Sequence, residues 1–123
     1  MALSTPAPSG ATGTVEVTPQ DLLRARLTEM VAPCWAVEGL SPSARATVVT
    51  LAVEMTPEGQ PRAETIRLLR ARGDRYPADV AQAFAAARRA VLRCAGAGYD
   101  LPADLHPHWR EVEMTFDANA HVM

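Results

Sequence analysis

The sequence has few of the features that mark membrane proteins or exported precursors. Its 123 residues include no run that approaches the roughly 18 consecutive apolar residues of a membrane span. The segment from Met1 to Gly13 lacks the charged and apolar regions of a signal peptide. No part of this chain is therefore expected to insert into a membrane. If the natural protein is exported, we expect its signal or membrane anchor to lie outside this chain.

The chain also has little excess charge. Its 12 lysine and arginine residues against 14 aspartate and glutamate residues leave a formal charge of −2. That charge creates too weak a field to attract a phosphate backbone or an acidic lipid surface, so nucleic acid is a poor candidate partner. With 48% hydrophobic and 21% charged residues, the composition is typical of one soluble domain with one core.

Recognised catalytic motifs are missing as well. The sequence has no Gly-rich phosphate loop and no Gly-x-Ser-x-Gly elbow. His106 and His108 flank Pro107 on an expected loop, and such a pair binds a metal only when other ligands converge on it. We expect an exposed loop pair and a non-enzyme without cofactor or metal. The alternative is a small-ligand or metal-binding domain, or an enzyme, built around Tyr99, His106 and His108.

The two ends of the chain differ from its middle. Residues 1–14 consist largely of Ser, Thr, Pro, Gly and Ala without a periodic apolar pattern, which is typical of a disordered linker. Residues 119–123 are expected to form a flexible C-terminus, with His121 unordered. The expected domain therefore covers residues 15–118.

Two helices are predicted in this domain. Thr18 is placed to cap the first helix, with Pro19 at its first position and Asp21 near its positive end. This helix is expected to end before Pro33. Its apolar stripe consists of Leu22, Leu23, Leu27, Met30 and Val31. The second helix is expected to run from Pro77 to Cys94. Its apolar stripe consists of Val80, Ala81, Phe84, Ala87, Val91 and Leu92.

Three strands are predicted from alternating or β-branched runs. Thr47 to Met55 alternates Val49, Leu51, Val53 and Met55 with Val48, Thr50, Ala52 and Glu54, which predicts a half-buried strand. The turn Thr56-Pro57-Glu58-Gly59 joins it to a second run, Arg62 to Leu69, in an antiparallel hairpin. The last strand, Trp109 to Phe116, is expected to turn Val112, Met114 and Phe116 inward, and Glu111, Glu113 and Thr115 outward.

The order helix, strand, strand, helix, strand predicts a small α+β domain. A right-handed crossover from the second strand can skip one strand, so that the third strand lies beside the first. We therefore expect a three-stranded antiparallel or mixed sheet of order 2-1-3 with two helices packed on one face. The second and third strands would form two free edges.

Two cysteines, Cys34 and Cys94, leave two interpretations open. Composition fits a disulfide in an oxidising compartment and reduced thiols in the cytosol equally well. Cys34 follows the first predicted helix and Cys94 ends the second, so the sulfurs can meet if the helices lie side by side on the sheet. Neither has a Cys-x-x-Cys partner or a neighbouring histidine, which argues against a catalytic or metal-binding thiol. We predict a structural disulfide that closes a loop of about 60 residues.

Several landmarks, taken in order, resemble one protein family. They are Pro33-Cys34-Trp35, the turn from Thr56 to Gly59, the helix from Ala85 to Cys94, Tyr99-Asp100-Leu101-Pro102, Trp109, and Glu113-Met114-Thr115-Phe116-Asp117. Over roughly Pro19 to Asp117, the chain resembles the C-terminal domain of the cell-envelope protein TolA in the form common among alphaproteobacteria. The C-terminal domains of TonB share the same general plan.

The resemblance implies a periplasmic docking domain of the Tol-Pal system, which supports outer-membrane integrity and constriction at division. The implied partners are the N-terminal segment of TolB and, in some bacteria, colicins, whose import uses this system, or filamentous-phage coat protein. TolQ and TolR are implied only through N-terminal regions outside this chain. A TonB-like domain would instead dock outer-membrane receptors. On this basis we expect a peptide to pair with the backbone from Arg110 to Phe116, with Trp109 packing at one end.

Overall fold

The computed structural model describes residues 18–118 and the backbone of residues 121–122. The predicted linker, residues 1–14, lies outside the described residues, as do residues 119, 120 and 123 of the predicted flexible C-terminus. The helices are α1 (Pro19–Val31), α2 (Pro42–Arg45), α3 (Pro77–Arg93) and α4 (His106–Trp109). The strands are β1 (Thr47–Glu54), β2 (Arg67–Gly73), β3 (Glu111–Asp117) and β4 (His121–Val122). Within these residues, no helix combines the length and the apolar composition that a bilayer span requires.

The strands form one antiparallel sheet in the order β2-β1-β3-β4. The chain passes from β2 through α3 to β3 and so skips the central strand, β1. The predicted α+β fold with its three main strands in the order 2-1-3 is confirmed. The structure adds β4, which pairs with β3 at Phe116 and Asp117. The expectations of a fully free third-strand edge and an unordered His121 are therefore wrong.

The start of α1 forms as the sequence predicts. The Thr18 hydroxyl accepts a hydrogen bond from the Asp21 amide (3.1 Å), and the Asp21 carboxylate accepts one from the Thr18 amide (3.2 Å). This reciprocal capping box satisfies two amides that the helix leaves unpaired, and it holds the pKa of Asp21 below its ordinary value. Leu22 is 62% exposed, which corrects its place in the apolar stripe. The buried stripe of α1 consists of Leu23, Leu27, Thr28 and Val31.

The buried face of α3 is made largely of alanine. It consists of Ala83, Ala86, Ala87, Ala90 and Val91. Of the predicted stripe, Ala81 is exposed, and Val80, Phe84 and Leu92 are only partly buried. Small side chains at a contact allow a helix to lie close to its neighbour. Helix α3 therefore contacts β1 mainly through alanines. The larger side chains of Val80 and Phe84 lie at the border of this contact and are only partly buried.

The central strand β1 is buried on both faces, which corrects the prediction of a half-buried strand. Its residues Val49, Leu51 and Val53 belong to the core beneath the two long helices. On the opposite face, Val48, Thr50 and Ala52 are also buried, at 8%, 5% and 1% exposure. Alternation in the sequence located the strand correctly, but it did not reveal the side chains that cover the second face.

The connection from β1 to β2 is longer than the predicted hairpin turn. Ala63–Thr65 forms a turn of 3-10 helix, and the Thr65 hydroxyl accepts a hydrogen bond from the Glu54 amide at 2.9 Å. A side chain thus takes the place of a backbone partner at the end of β1. For this reason β2 covers Arg67–Gly73 rather than the predicted Arg62 to Leu69.

Gly59 closes the predicted turn, where its amide donates to the Thr56 carbonyl at 2.9 Å. Its φ is +85°, and a Cβ at this position would overlap the backbone carbonyl oxygen of Tyr99. Gly59→Ala is expected to lower the free energy of unfolding by about 2–3 kcal/mol, because the left-handed backbone and the overlap both oppose a side chain. Urea unfolding followed by circular dichroism measures the change.

Gly39→Ala is the matched control for this prediction. Gly39 has open space where a Cβ would be added, so the substitution is expected to change the free energy of unfolding by less than about 0.5 kcal/mol. Equal urea midpoints for the two variants would show that the turn tolerates a side chain at Gly59.

Cys34 and Cys94 form the predicted disulfide, with their Cα atoms 5.8 Å apart. Cys34 ends the turn that follows α1, and Cys94 is the C-terminal cap of α3. Next to the disulfide, the ring of Trp35 packs edge-on against Phe116 of β3, with centroids 5.3 Å apart. The bond therefore joins the two long helices close to the end of β3.

Candidate functional site

The face of the sheet opposite the long helices, the open face, carries two rows of charged residues. By register, the open face consists of Arg67, Arg70 and Arg72 on β2, Val48, Thr50, Ala52 and Glu54 on β1, and Glu111, Glu113, Thr115 and Asp117 on β3. Arginines and acids thus lie on opposite sides of small, uncharged residues. All 12 basic residues of the chain are arginines.

Each of these arginines reaches over β1 to an acid on β3. The pairs are Arg67–Glu111 at 2.6 Å, Arg70–Glu113 at 3.5 Å and Arg72–Asp117 at 4.0 Å. Below them, the hydroxyls of Thr50 and Thr115 share a hydrogen bond at 2.9 Å. Long charged side chains cover apolar surface with their stems while their heads stay in water. This arrangement explains why β1 is buried on its second face.

Two of these ion pairs, Arg67–Glu111 and Arg70–Glu113, are exposed to solvent. The side chains of Arg67 and Glu111 are 49% and 51% exposed, and those of Arg70 and Glu113 are 65% and 52% exposed. The hydrogen bond to Glu111 raises the pKa of the Arg67 guanidinium. Exposed pairs of this kind each contribute about 0–1 kcal/mol. The guanidinium groups are therefore accessible to a carboxylate of a partner.

The edge of β3 is free over part of its length. Phe116 and Asp117 pair with β4, whereas Glu111–Thr115 pair with β1 alone among the described residues. The carbonyl of Arg110 accepts a hydrogen bond from the Met55 amide at 2.8 Å. Within the predicted docking strand from Trp109 to Phe116, the part that pairs with one strand only is therefore Glu111–Thr115.

Trp109 belongs to α4 and not to the third strand, which corrects the predicted start of that strand. Its side chain is 2% exposed, and its indole Nε1–H donates to the Pro102 carbonyl at 2.8 Å. The ring of His106 packs against it, with centroids 4.6 Å apart. Trp109 is therefore a core residue at the start of β3 and does not present its ring to a partner.

A groove of about 190 Å³ lies between α1 and the first half of β3. It is lined by Gln20, Leu23, Arg24 and Leu27 from α1, and by His108, Trp109, Glu111, Val112 and Glu113 from the β3 side. Arg24 also borders a cavity on the open face beside Thr50 and Thr115, so it lies next to the edge of β3. The groove is smaller than the roughly 300–1,000 Å³ typical of small-molecule sites. The groove runs beside Glu111–Glu113, the first half of β3.

The predicted alternative site around Tyr99, His106 and His108 has its polar groups engaged elsewhere. The buried Tyr99 hydroxyl donates to the Val91 carbonyl, and burial raises its pKa. His106 is partly buried in α4 with Nε2 2.9 Å from the Met55 carbonyl, so the expectation of an exposed loop pair is wrong for it. Only His108 of this pair is exposed. Among the described residues, no group of three or more His, Cys, Asp or Glu side chains could hold a metal.

The opposite edge of the sheet is β2, the other free edge that the sequence predicted, although the predicted docking site was on the third strand. In the described chain it pairs only with β1, and its side chains are exposed except for the partly buried Ala71. Leu68 and Leu69 are 39% and 36% exposed, and Leu69 is the extra residue of an irregularity in the register. A signal in the sequence for these rows is the alternation of charge along each strand, with Arg70 and Arg72 on β2 and Glu111 and Glu113 on β3.

Comparison of the chain with protein-family models, with curated proteins and with solved structures finds no match. The fold defines the protein by class, as a small α+β domain with an antiparallel sheet whose edges are unpaired over part or all of their length in the described part of the chain.

Proposed function

We propose that this chain is a non-catalytic docking domain of the TolA type, which binds an extended peptide of a periplasmic partner by strand addition to β3. One observation carries the proposal: among the described residues, Glu111–Thr115 pairs with β1 alone, and its first half, Glu111–Glu113, lines the groove against α1. An edge strand offers unpaired amides and carbonyls, and an incoming strand pairs with them.

The disulfide supports a location outside the cytoplasm. Disulfides form and persist in oxidising compartments such as the bacterial periplasm, whereas cytosolic thiols are kept reduced. Cys34 and Cys94 also join the helix that forms the wall of the groove to α3. The same bond is thus compatible with the proposed compartment, and it restrains the helix beside the proposed site.

The proposed partner is the N-terminal segment of TolB, with colicins or filamentous-phage coat protein as further ligands. Backbone pairing tolerates changes in the partner's side chains, so one edge can serve several ligands. In the Tol-Pal system this docking would support outer-membrane integrity and constriction at division. TolQ and TolR would act through regions outside this chain.

Strand β4 sets the length of the proposed site. β4 pairs with the backbone of Phe116 and Asp117. An incoming strand would therefore pair with Glu111–Thr115 alone, or it would displace β4 and pair with the whole of β3. A strand that pairs at two residues contributes few backbone hydrogen bonds, so it opens at little cost in free energy. The site can therefore lengthen when a longer peptide binds.

Glu113→Pro in the full chain is expected to abolish binding of a TolB N-terminal peptide, as measured by isothermal titration calorimetry. Proline removes a backbone donor and cannot continue a regular strand edge. Glu113→Ala is the control and is expected to keep the affinity within about threefold, since it removes only an exposed charge. Unchanged affinity in the proline variant would contradict binding along β3.

A peptide variant tests the same site without altering the protein. N-methylation of alternate backbone amides of the TolB peptide is expected to abolish binding to the unmodified chain, because these groups can no longer donate to β3. Retained binding of the methylated peptide would show that side chains, and not strand pairing, hold the partner.

A further inference from the structure

The second edge of the sheet is free over its whole described length. β3 is paired with β4 at its end, whereas Arg67–Gly73 of β2 has β1 as its single neighbour in the described chain. At about 3.3 Å per residue, this edge is roughly 20 Å long. It therefore offers a longer run of unpaired backbone groups than β3 does.

On the helix side, the edge of β2 adjoins a row of apolar residues that the core covers only in part, here called the apolar seam. The apolar seam consists of Ile66, Leu68, Ala71, Val80 and Phe84. Arg88, which follows Phe84 on the same side of α3, donates to the Ala63 carbonyl at 3.5 Å just before β2. This contact places the Val80 and Phe84 side of α3 alongside β2.

On the open face, the same edge carries the row of arginines. The segment from Arg62 to Arg75 contains five arginines against Glu64 and Asp74, a net charge of +3 in a chain whose formal charge is −2. The ion pairs of Arg67 and Arg70 with β3 are exposed and therefore weak. A guanidinium has five N–H donors, so it can bond a second carboxylate without leaving the first.

From these observations we infer that β2 is a second docking edge, whose occupant is an extended peptide that alternates acidic and apolar side chains. Alternate residues of a strand added to β2 point to opposite faces. One set would lie beside Arg67, Arg70 and Arg72, and the other would cover the apolar seam. The inference goes beyond the proposed function, because it concerns the opposite edge and a partner of different chemistry.

Charge argues against a second copy of this chain as the occupant. Pairing β2 with β2 of another copy about a two-fold axis would place the row formed by Arg67, Arg70 and Arg72 beside its own copy. Like charges on neighbouring strands are unfavourable. An acidic peptide instead meets a complementary surface on the open face.

The test uses the full chain and an acetylated nine-residue peptide that alternates glutamate and valine. Calorimetry is expected to show saturable binding, and the amide resonances that shift are expected to fall within Arg67–Gly73 and not within Glu111–Thr115. A peptide with lysine in place of glutamate is expected to bind about tenfold more weakly or worse. Shifts on β3, or equal binding of the lysine peptide, would overturn the inference.

The arginines are tested by the double variant Arg70→Gln with Arg72→Gln. Their side chains are 65% and 67% exposed, so the variant is expected to fold. The affinity for the glutamate-valine peptide is expected to fall about fivefold, since two exposed charge contacts are lost. Arg89→Gln, at an exposed position on α3, is the matched control with no expected change. An equal loss in the control, or no loss in the double variant, would contradict a site on β2.

Testing each variant with the peptide proposed for the other edge distinguishes the two sites. Glu113→Pro is expected to leave binding of the glutamate-valine peptide unchanged, and the double arginine variant is expected to leave binding of the TolB peptide unchanged. If Glu113→Pro abolishes both, β3 is the single site and the inference fails while the proposed function stands. Dimerisation in sedimentation experiments that the glutamate-valine peptide reverses would identify a second copy as the occupant and overturn the inference.

Discussion

Replacing Cys34 and Cys94 together by alanine is expected to lower the free energy of unfolding by about 4 kcal/mol. The disulfide joins residues 60 positions apart, and in the chain-entropy model a crosslink of that span restricts the unfolded chain by about this amount. Small domains are stable by about 5–15 kcal/mol in total. The loss would therefore be a large fraction of the stability of this domain.

Urea unfolding of the oxidised wild type, the reduced wild type and the double variant measures this contribution. The reduced wild type keeps both sulfurs, so it separates the crosslink from the packing of the side chains. We expect the reduced protein and the double variant to unfold at similar, lower urea concentrations. Coincident curves for the oxidised and reduced wild type would show that the bond adds no stability.

Trp109→Ala is expected to lower the free energy of unfolding by about 3–5 kcal/mol, the range found for truncation of large aromatic residues in cores. Trp109 is 2% exposed and contacts the ring of His106. Its hydrogen bond to the Pro102 carbonyl also holds the loop before α4. Because Trp109 lies directly before β3 and lines the groove, the variant is expected to weaken docking on that edge as well.

Trp109→Phe separates the volume of the side chain from its hydrogen bond. It keeps most of the buried ring and leaves the Pro102 carbonyl without the indole donor, so a loss of about 1–2 kcal/mol is expected. Circular dichroism is the suitable probe, since Trp35 also fluoresces. An alanine variant within about 1 kcal/mol of the wild type would show that Trp109 does not anchor the start of β3.

The open face connects the two proposed docking edges. Arg70 on β2 pairs with Glu113 on β3 across the buried residue Thr50. An acidic peptide on β2 would bond Arg70 through N–H donors that Glu113 does not use, so the pair across β1 and the edge of β3 are expected to stay unchanged. The edges themselves lie about 10 Å apart, the width of two strand spacings.

Features decided by neighbouring residues could be predicted from the sequence. The Thr18 and Asp21 capping box, the turn closed by Gly59, and the inward set Val112, Met114 and Phe116 all form. Each depends on a local rule: a side chain that satisfies nearby amides, a residue that tolerates positive φ, or a two-residue period. The order 2-1-3 followed because few connections are compatible with this succession of elements.

Features that depend on particular hydrogen-bond partners could not be predicted in the same way. β4 pairs with Phe116 and Asp117, and the Trp109 indole donates to the Pro102 carbonyl. The start of β2 moved because a hydroxyl, that of Thr65, replaced a backbone partner of Glu54. Propensity and periodicity contain no information on which distant group will satisfy an amide or cover a face.

The sequence by itself therefore determined the class of fold, the order of the two long helices and three main strands, and the pair of cysteines that meet. Tertiary structure alone decided how much of each edge is free, and that β1 is buried on both faces. The physical reason is that edge and face coverage depend on register, which brings Arg67, Arg70 and Arg72 over β1 to the acids of β3. Strand register is set by contacts between residues far apart in the chain.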